Sequence, residues 1–366
     1  MIYNWQQPDW TDFKYNISEV MTIIYDFIAL AGKVSGVFDC LTKQDKDKIT
    51  IDFLVNEAIK TSEIEGEYLH RESVTNAVRR NLGFTVDNLL IVDPSAEGMA
   101  NMLVHVREKF TEPLSENMLF DWHKEMMRGN KENMTIGNWR THKEPMQIIS
   151  GPVGREKVHF EAPSSKDVPV EMNRFIEWFN KSEKTITTPL VRSGISHLYF
   201  ESIHPFQDGN GRIGRAISDK AISQDLGYPV LFNLSKTIER KRDEYYNNLN
   251  ISSKTNDISQ WLKYFIKAVY QSQVEAQQEI EFVLKKTQFF DKWQKKLNHR
   301  QIKVIKRMFQ EGPEGFEGGM SAKKYMRITK TSNATATRDL QDLKRKGIFQ
   351  SIGGGRNTRY SLLQNQ

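Results

Sequence analysis

A twelve-residue stretch, HPFQDGNGRIGR at residues 204–215, concentrates side chains that can do chemistry. His204 can take up a proton near neutral pH. Arg212 and Arg215 stand three residues apart and present two forked donors that suit a di- or triphosphate. Asp208 lies among these phosphate-binding groups, where a carboxylate is suited to holding Mg²⁺. The stretch therefore predicts a site that handles a polyphosphate.

A tight loop that runs into the start of a helix must position these side chains. The string Asp-Gly-Asn-Gly at 208–211 favours turns and positive φ, so it cannot start inside a regular helix. From Arg212 to Leu226 the apolar residues recur at helical spacing, and the segment from Thr188 to Glu201 is also predicted to be helical. Free N–H groups and the helix dipole make the start of the second helix an anion site.

Two other sites are compatible with parts of this stretch. Gly209, Gly211 and Gly214 have the spacing of a dinucleotide-binding fingerprint. The segment before them is helical rather than a strand, and Pro229 stands where an acidic residue would be required, so this interpretation is rejected. A zinc site is disfavoured because Cys40 is the only cysteine and no compact His/Cys cluster is present.

The twelve-residue stretch resembles the HPFxDGNGRxxR signature of Fic-domain proteins at every defined position. The resemblance implies a mainly α-helical Fic fold and an enzyme that transfers AMP from ATP to a Ser, Thr or Tyr hydroxyl of a target protein. It implies that His204 is the catalytic base and that Asp208 holds Mg²⁺. The residues that it implies for nucleotide binding are Asp208, Gly209, Asn210, Gly211, Arg212, Gly214 and Arg215.

A second motif lies upstream, at the end of a predicted helix over about 47–65. Three glutamates stand near this C-terminus, where carboxylates oppose the helix dipole. The segment also resembles the inhibitory motif of Fic proteins, (S/T)xxxE(G/N), with Thr61, Glu65 and Gly66 in place. The resemblance implies that Glu65 forms a bidentate pair with Arg215 and blocks productive seating of the ATP γ-phosphate. A solvated acidic helix end is the alternative.

Two further segments bear on substrate binding. Short strand-like runs on either side of a turn at 151–154 predict a β-hairpin over about 145–163. The resemblance implies that this hairpin is the flap, which pairs with an extended segment of the target protein; a connecting hairpin is the alternative. Tyr245 and Tyr246 resemble the adenine side of the family's site, although tyrosines at helical spacing are also typical of a core.

Residues 291–366 are predicted to form three helices and a glycine-tipped hairpin, an order that resembles a winged helix-turn-helix. Between residues 321 and 360 ten basic residues face two acidic ones, a local net charge of +8. The basic residues are Lys323, Lys324, Arg327, Lys330, Arg338, Lys344, Arg345, Lys346, Arg356 and Arg359, and the acidic ones are Asp339 and Asp342. This excess makes double-stranded DNA a candidate partner, with a protein-interaction module of the same fold as the alternative.

We therefore predict an N-terminal helical regulatory segment (1–95), with its inhibitory motif at 61–66, a Fic core (96–286) and a C-terminal module (291–366). The composition, 38% hydrophobic and 27% charged, is typical of a soluble globular protein. One cysteine and no signal peptide favour the cytoplasm. No apolar run approaches about 18 residues, so no membrane span is expected. A homodimer is among the assemblies that the sequence allows.

The predicted function is that of a protein adenylyltransferase, with ATP as substrate and Mg²⁺ as cofactor, autoinhibited by Glu65. Two alternatives stay open. The same site could remove AMP from a target, with Glu65 positioning a water. The chain could instead be a DNA-binding regulator that uses the Fic core to sense a nucleotide.

Overall fold

The computed structural model describes residues 2–86, 92–130, 133–150, 157–313, 315–354 and 358–363, and the chain is mainly helical. The helices are α1 (Met21–Asp39), α2 (Lys43–Ile64), α3 (Arg71–Asn81), α4 (Pro94–Glu108), α5 (Glu116–Met126), α6 (Val168–Thr185), α7 (Pro189–Ile203), α8 (Asn210–Leu226), α9 (Leu234–Glu239), α10 (Arg242–Ser252), α11 (Ser259–Trp293), α12 (His299–Phe309), α13 (Ala322–Thr329) and α14 (Asn333–Arg345). The strands are β1 (Gln147–Ser150), β2 (Lys157–Glu161), β3 (Phe349–Ile352) and β4 (Arg359–Leu362).

The chain forms two compact units. The first consists of Met1–Lys33 and Lys46–Ala276, and the second of Val34–Asp45 and Gln277–Gln366. The three predicted segments do not coincide with these units. The predicted N-terminal segment is divided between the two units, because α1 and α2 each contribute residues to both. The longer segment of the second unit begins at Gln277, inside the continuous helix α11.

Helix α7 lies at the centre of the first unit and leads directly into the His204 loop. Every residue of α7 except Glu201 is buried. A helix buried on all sides has no solvent face, which is the arrangement expected for a central helix. Helix α8 packs against it, and Ile213 and Ile217 of α8 are fully buried in the same core. The two helices on either side of the candidate loop are thus its most rigid supports.

The two strands β1 and β2 form the hairpin that the sequence predicts over 145–163. They pair antiparallel from Gln147 opposite Glu161 to Ser150 opposite Lys157, with a register shift between Ile148 and Ile149. The turn predicted at 151–154 lies outside the described residues. Met146 accepts a backbone hydrogen bond from Ala162, which closes the base of the hairpin (2.9 Å).

The segment Ser18–Asp39 has an 18-residue window with a mean hydropathy of 1.5, so by length and composition it could cross a membrane. This corrects the sequence analysis, which expected no such segment. A core helix of a soluble protein satisfies the same criterion, and Val20, Phe27 and Ala31 of this segment are buried within the first unit.

The second unit has its own hydrophobic core, to which α12, α13, α14 and the strand pair β3–β4 contribute. A buried carboxylate, Asp339 of α14, links these three helices by hydrogen bonds. It accepts hydrogen bonds from the Tyr325 hydroxyl (2.8 Å) and from Arg300 Nε (2.8 Å). The tip of the hairpin, residues 355–357, lies outside the described residues, and with it the basic residue Arg356.

Gly98 of α4 offers a test of the packing in the first unit. A methyl group at Gly98 would lie 1.8 Å from the backbone oxygen of Glu125, so α4 and α5 would have to move apart. We expect Gly98→Ala to lower the free energy of unfolding by about 1–3 kcal/mol or more. Gly32→Ala is the matched control, because nothing lies within 4 Å of that position and it should add up to about 1 kcal/mol of helix stability. Urea unfolding followed by circular dichroism measures both, and equal midpoints for the two variants would contradict the packing.

Candidate active site

His204 ends α7 in a backbone conformation that a non-glycine residue rarely adopts. Its φ is +50° and its ψ is +60°, in the left-handed region, which costs roughly 1–2 kcal/mol. Arg140, which is buried, offsets this cost by donating from Nε to the carbonyl oxygen of His204 (2.8 Å) and from its backbone N–H to that of Pro205 (2.9 Å). Burial lowers the pKa of Arg140 to about 10, so this side chain stays charged at neutral pH. The sequence analysis assigned no role to Arg140.

The loop after His204 is closed by the side chain of Asn210. Asn210 Oδ1 accepts from the Phe206 N–H, and Asn210 Nδ2 donates to the Phe206 carbonyl, both at 2.9 Å. Gly209 has φ +82° between them, which explains the glycine there. We expected Asn210 among the anion-binding groups, but both polar ends of its side chain are engaged in the loop. Only its backbone N–H is left for an anion.

Helix α8 begins at Asn210, two residues before the predicted start. Its first backbone hydrogen bond runs from Ile213 N–H to the carbonyl of Gly209 (3.1 Å). The N–H groups of Asn210, Gly211 and Arg212 precede that bond and have no helical partner. They point out of the helix N-terminus, beside Arg215, and with the helix dipole they form the expected anion site.

Arg215 is buried and is held by Thr61 of α2 and by Glu65, which directly follows that helix. Its Nη2 donates to Glu65 Oε1 (2.8 Å) and to the Thr61 carbonyl (2.9 Å), and its Nε donates to Thr61 Oγ1 (2.8 Å). The structure therefore brings together the predicted Thr61, Glu65 and Arg215. The expected bidentate pair is wrong, because only one oxygen of Glu65 contacts Arg215. The other oxygen accepts from the Tyr246 hydroxyl (3.3 Å).

The Glu65 carboxylate lies at the helix N-terminus itself. A methyl group at Gly211, the second residue of α8, would be 2.2 Å from Glu65 Oε1. Burial by itself lowers the pKa of Arg215, but the charge of Glu65 and its hydrogen bond reverse this and raise the pKa above its ordinary value. Glu65 thus occupies the place where an anion would meet both the helix dipole and Arg215. Gly66, the third predicted inhibitory residue, follows with φ +83° and ends the turn.

Arg212 is bound by a second glutamate that the sequence analysis left without a role. Arg212 Nη1 contacts Glu67 Oε2, and its Nη2 donates to Asp208 Oδ2 (3.3 Å). Both arginines of the motif therefore contact a carboxylate from the same short segment. The position of Glu67, two residues after Glu65, was the available sequence signal.

A cavity of about 730 Å³ lies beside these groups, between α7, α10 and the β1–β2 hairpin. It is lined by Glu65, Ile148, His159, Phe160, Leu198, Glu201, Ser202, His204, Gly211, Arg242, Asp243, Tyr245, Tyr246, Asn247, Leu249, Asn250 and Ser253. The two candidate tyrosines differ in their surroundings. Tyr245 is buried and bonds its hydroxyl to His197 Nε2 (2.7 Å), whereas Tyr246 is 36% exposed and faces Glu65. Cavities of this size typically bind small molecules.

His123 supports the loop from behind and takes no part in the cavity lining. Its ring stacks on Phe206 at a centroid distance of 4.1 Å. Its Nδ1 accepts from the Gly137 N–H (2.8 Å), which leaves Nε2 to donate to the Asp208 carbonyl (3.2 Å). His123 therefore has a structural role in this loop.

The side chains at the loop are better suited to Mg²⁺ than to a metal ion that needs three or more protein ligands. Among the described residues no group of three or more His, Cys, Asp or Glu side chains could hold a metal ion. Mg²⁺ commonly takes only one or two protein carboxylates and completes its shell with phosphates and water. The Asp208 side chain is 50% exposed and accepts from the Gly209 N–H at 2.6 Å, so it can serve as that ligand.

Two family models match the chain. Residues 113–221 match the Fic/DOC family, and residues 3–84 match a domain of unknown function, DUF4172. A protein adenylyltransferase of Caenorhabditis elegans is 27% identical over 154 residues, which cover 42% of this chain and 27% of that protein. A protein adenylyltransferase of Nematostella vectensis is 34% identical over 89 residues, covering 24% of this chain and 19% of that protein. The chain thus spans about a quarter or less of the length of these relatives.

The fold also resembles that of a solved structure over most of its length. A Fic family protein from Desulfovibrio desulfuricans superposes with a TM-score of 0.53 at 21% identity, covering 94% of this chain and 97% of that one. The match concerns the fold and is consistent with the mainly helical class predicted from the sequence.

Stability should depend on pH through His123. Burial lowers the pKa of His123 to about 4, against 6.5 in the unfolded chain. As the pH falls from 6.5 to 4, His123 becomes protonated in the unfolded chain but stays neutral in the folded chain. The free energy of unfolding therefore falls by about 3 kcal/mol, at 1.36 kcal/mol per pKa unit. Urea unfolding at several pH values measures this loss, which His123→Asn should reduce. The same substitution at the exposed His70, which lies outside this loop, is the control.

Proposed function

We propose, from the premise that this chain carries a Fic/DOC-family domain, that it transfers AMP from ATP to a hydroxyl group of a target protein. The observation that carries the proposal is the convergence on one cavity of His204 and the α8 N-terminus, with Arg215 directly behind that terminus. A base beside an anion site is the arrangement that phosphoryl or nucleotidyl transfer requires.

In the proposed reaction His204 takes the proton of the acceptor hydroxyl while the hydroxyl oxygen attacks the α-phosphorus of ATP. The bond between that phosphorus and the pyrophosphate oxygen breaks, so the products are an AMP ester and pyrophosphate. The N–H groups of Gly211 and Arg212, with the Arg212 and Arg215 side chains, stabilise the developing charge. Asp208 would hold Mg²⁺, which when bound neutralises charge on the phosphates.

The β1–β2 hairpin is the proposed docking site for the target protein. It forms a two-stranded sheet, and within the described residues each strand has one edge with no strand partner. Ile148, His159 and Phe160 line the same cavity as His204, so an added strand would bring its side chains close to the base. Strand addition positions a backbone without reading much of its sequence.

Glu65 and Glu67 together form the proposed inhibitory device. Glu65 contacts Arg215 and Glu67 contacts Arg212, and both acids follow α2 within three residues. A γ-phosphate and the Glu65 carboxylate would compete for the same guanidinium and the same helix N-terminus. Holding 99% of molecules in the closed state requires only about 2.7 kcal/mol, which a partly buried ion pair can supply.

The central experiment is labelling with α-³²P-ATP. We expect Glu65→Gly to raise self-labelling or target labelling by about one to two decades, because it frees Arg215 for the phosphate. Glu63→Gly is the matched control at the same helix end, since Glu63 pairs with Lys60 and not with a motif arginine. The double variant Glu65→Gly/His204→Ala should lose the label, because it lacks the base.

Two outcomes would contradict this proposal. Equal labelling by the wild type and Glu65→Gly at saturating ATP would remove the inhibitory role. If Glu65→Gly instead loses the ability to remove AMP from a target labelled beforehand, the reverse reaction with Glu65 aligning a water becomes the better assignment.

The second unit supports a second candidate function, binding of double-stranded DNA. Three helices followed by a hairpin is the order of a winged helix-turn-helix, with α14 as the recognition helix. The exposed residues of α14 include donors for phosphates and base edges, namely Asn333, Thr337, Arg338, Gln341, Lys344 and Arg345.

One of the two acidic residues of α14 is withdrawn from this surface. Asp339 is buried and bonded to Tyr325. Asp342 is 23% exposed and pairs with Arg345 and Lys346, so it offsets part of their positive charge. The other exposed residues of α14 are basic or neutral.

We expect the full-length chain to bind a mixed-sequence DNA duplex, with affinity that falls steeply with salt. Arg338→Ala/Lys344→Ala should weaken this binding at least tenfold and reduce the slope of log K against log salt by about two, roughly one per phosphate contact. The charge-matched control is Arg174→Ala/Lys181→Ala on the exposed face of α6. Fluorescence anisotropy of a labelled duplex measures both. Binding that ignores salt, or no binding at low salt, would favour a protein-interaction module.

A further inference from the structure

A buried glutamate, Glu201, faces the imidazole ring of His204 from one turn earlier on α7. Glu201 Oε2 lies 3.6 Å from His204 Nδ1, and the two side chains are only 10% and 13% exposed. His204 Nδ1 and Glu201 Oε1 are both buried, and neither has a hydrogen-bond partner among the described residues. The 3.6 Å separation is slightly longer than a hydrogen bond, and a small rotation of either side chain would close it.

The surroundings of Glu201 keep it charged. Burial by itself would raise the pKa of Glu201, but the neighbouring His204 ring, with smaller contributions from His197 and Arg215, outweighs burial and holds the pKa below its ordinary value. Leaving a carboxylate in an interior is unfavourable unless a partner compensates it. Its nearest polar partner is the ring that the proposed reaction uses.

The positions of both side chains are fixed by the backbone around them. Arg140 holds the carbonyl of His204 and so sets the direction of the ring. On the other side Gly214 closes the space, since a methyl group there would lie 2.9 Å from Glu201 Oε1 and 3.2 Å from the His197 ring. Glu201 is therefore confined between two histidines and the first turns of α8.

We propose that Glu201 is a positioning residue for His204. It accepts a hydrogen bond from Nδ1–H of the ring, which leaves Nε2 unprotonated and free to take the proton of the acceptor hydroxyl. When Nε2 has taken that proton, the adjacent carboxylate stabilises the imidazolium without itself becoming protonated. The assignment rests on the proposed role of His204 as base, although the ring geometry that it predicts does not depend on AMP transfer.

Other charged and titratable groups also face Glu201 and must stay unchanged in a test. His197 lies one turn earlier on α7, Arg215 comes from α8, and Tyr245 comes from α10 and bonds to His197. Burial lowers the pKa of His197, and its ring contributes less than that of His204 to the lowered pKa of Glu201. Variants that alter only Glu201 therefore report on its action on His204.

The first readout is NMR of the His204 ring in protein labelled with ¹⁵N-histidine, at several pH values. In the wild type we expect the neutral ring to carry its proton on Nδ1. In Glu201→Gln the midpoint of the ring titration should move to lower pH, because a carboxylate favours the imidazolium and an amide does not. Glu201→Asp keeps the charge and should retain most of the wild-type behaviour. Glu177→Gln, an exposed carboxylate on α6, is the control.

The second readout is kinetic, in the Glu65→Gly background. We expect Glu201→Gln to lower kcat by about tenfold to 10⁴-fold with the KM for ATP unchanged, and Glu201→Asp to restore part of the rate. The assignment would be overturned if the neutral wild-type ring carried its proton on Nε2. It would also be overturned if Glu201→Gln had the same ring titration and the same kcat as the protein that keeps Glu201. If no AMP transfer is found but the ring still responds to Glu201, the positioning role stands and the proposed reaction fails.

Discussion

The buried guanidinium of Arg215 is the constraint on which the rest of the site depends. A cation in an interior needs partners, and here they are the hydroxyl and carbonyl of Thr61 at the end of α2 and the carboxylate of Glu65 directly after it. Removing one partner of such a pair leaves an uncompensated charge, so these contacts hold the end of α2 against α8.

Because of this constraint, the anion site has room either for the Glu65 carboxylate or for a phosphate. The helix N-terminus offers a few N–H groups and one dipole, and Glu65 reaches them because Gly211 has no side chain. A phosphate and a carboxylate cannot occupy that volume together. In the proposed function, inhibition and substrate binding compete for the same electrostatic interaction, and a few kcal/mol decide the outcome.

The backbone around His204, the proposed base, holds this residue in its conformation at the end of α7. His204 lies in the left-handed region at the end of a fully packed helix, and Arg140, distant in sequence, stabilises that conformation through the His204 carbonyl. Asn210 closes the loop on the opposite side through Phe206. A histidine in a regular helix could not face the cavity and the α8 N-terminus at once, because its ring direction would follow the helix period.

The sequence by itself determined the parts of this protein that depend on local order. Helical spacing of apolar residues predicted α2, α7 and α8 to within a few residues, since a buried stripe repeats every 3.6 positions. It did not identify α3 or the short α9. The density of His, Asp, Gly and Arg between residues 204 and 215 was enough to predict an anion site beside a base.

Only the tertiary structure decided which distant groups meet. Nothing in the spacing of Arg140, Glu67 or Glu201 relates them to the motif, and each acquires its contact through packing across the chain or through a turn of defined direction. The same holds for Asp339, which counts as a negative charge in the sequence but is buried and bonded to Tyr325 within the second unit. Charge and residue type are properties of a sequence, whereas the partner of a charge is a property of the fold, because chain segments far apart must first be brought together by burial of their apolar faces.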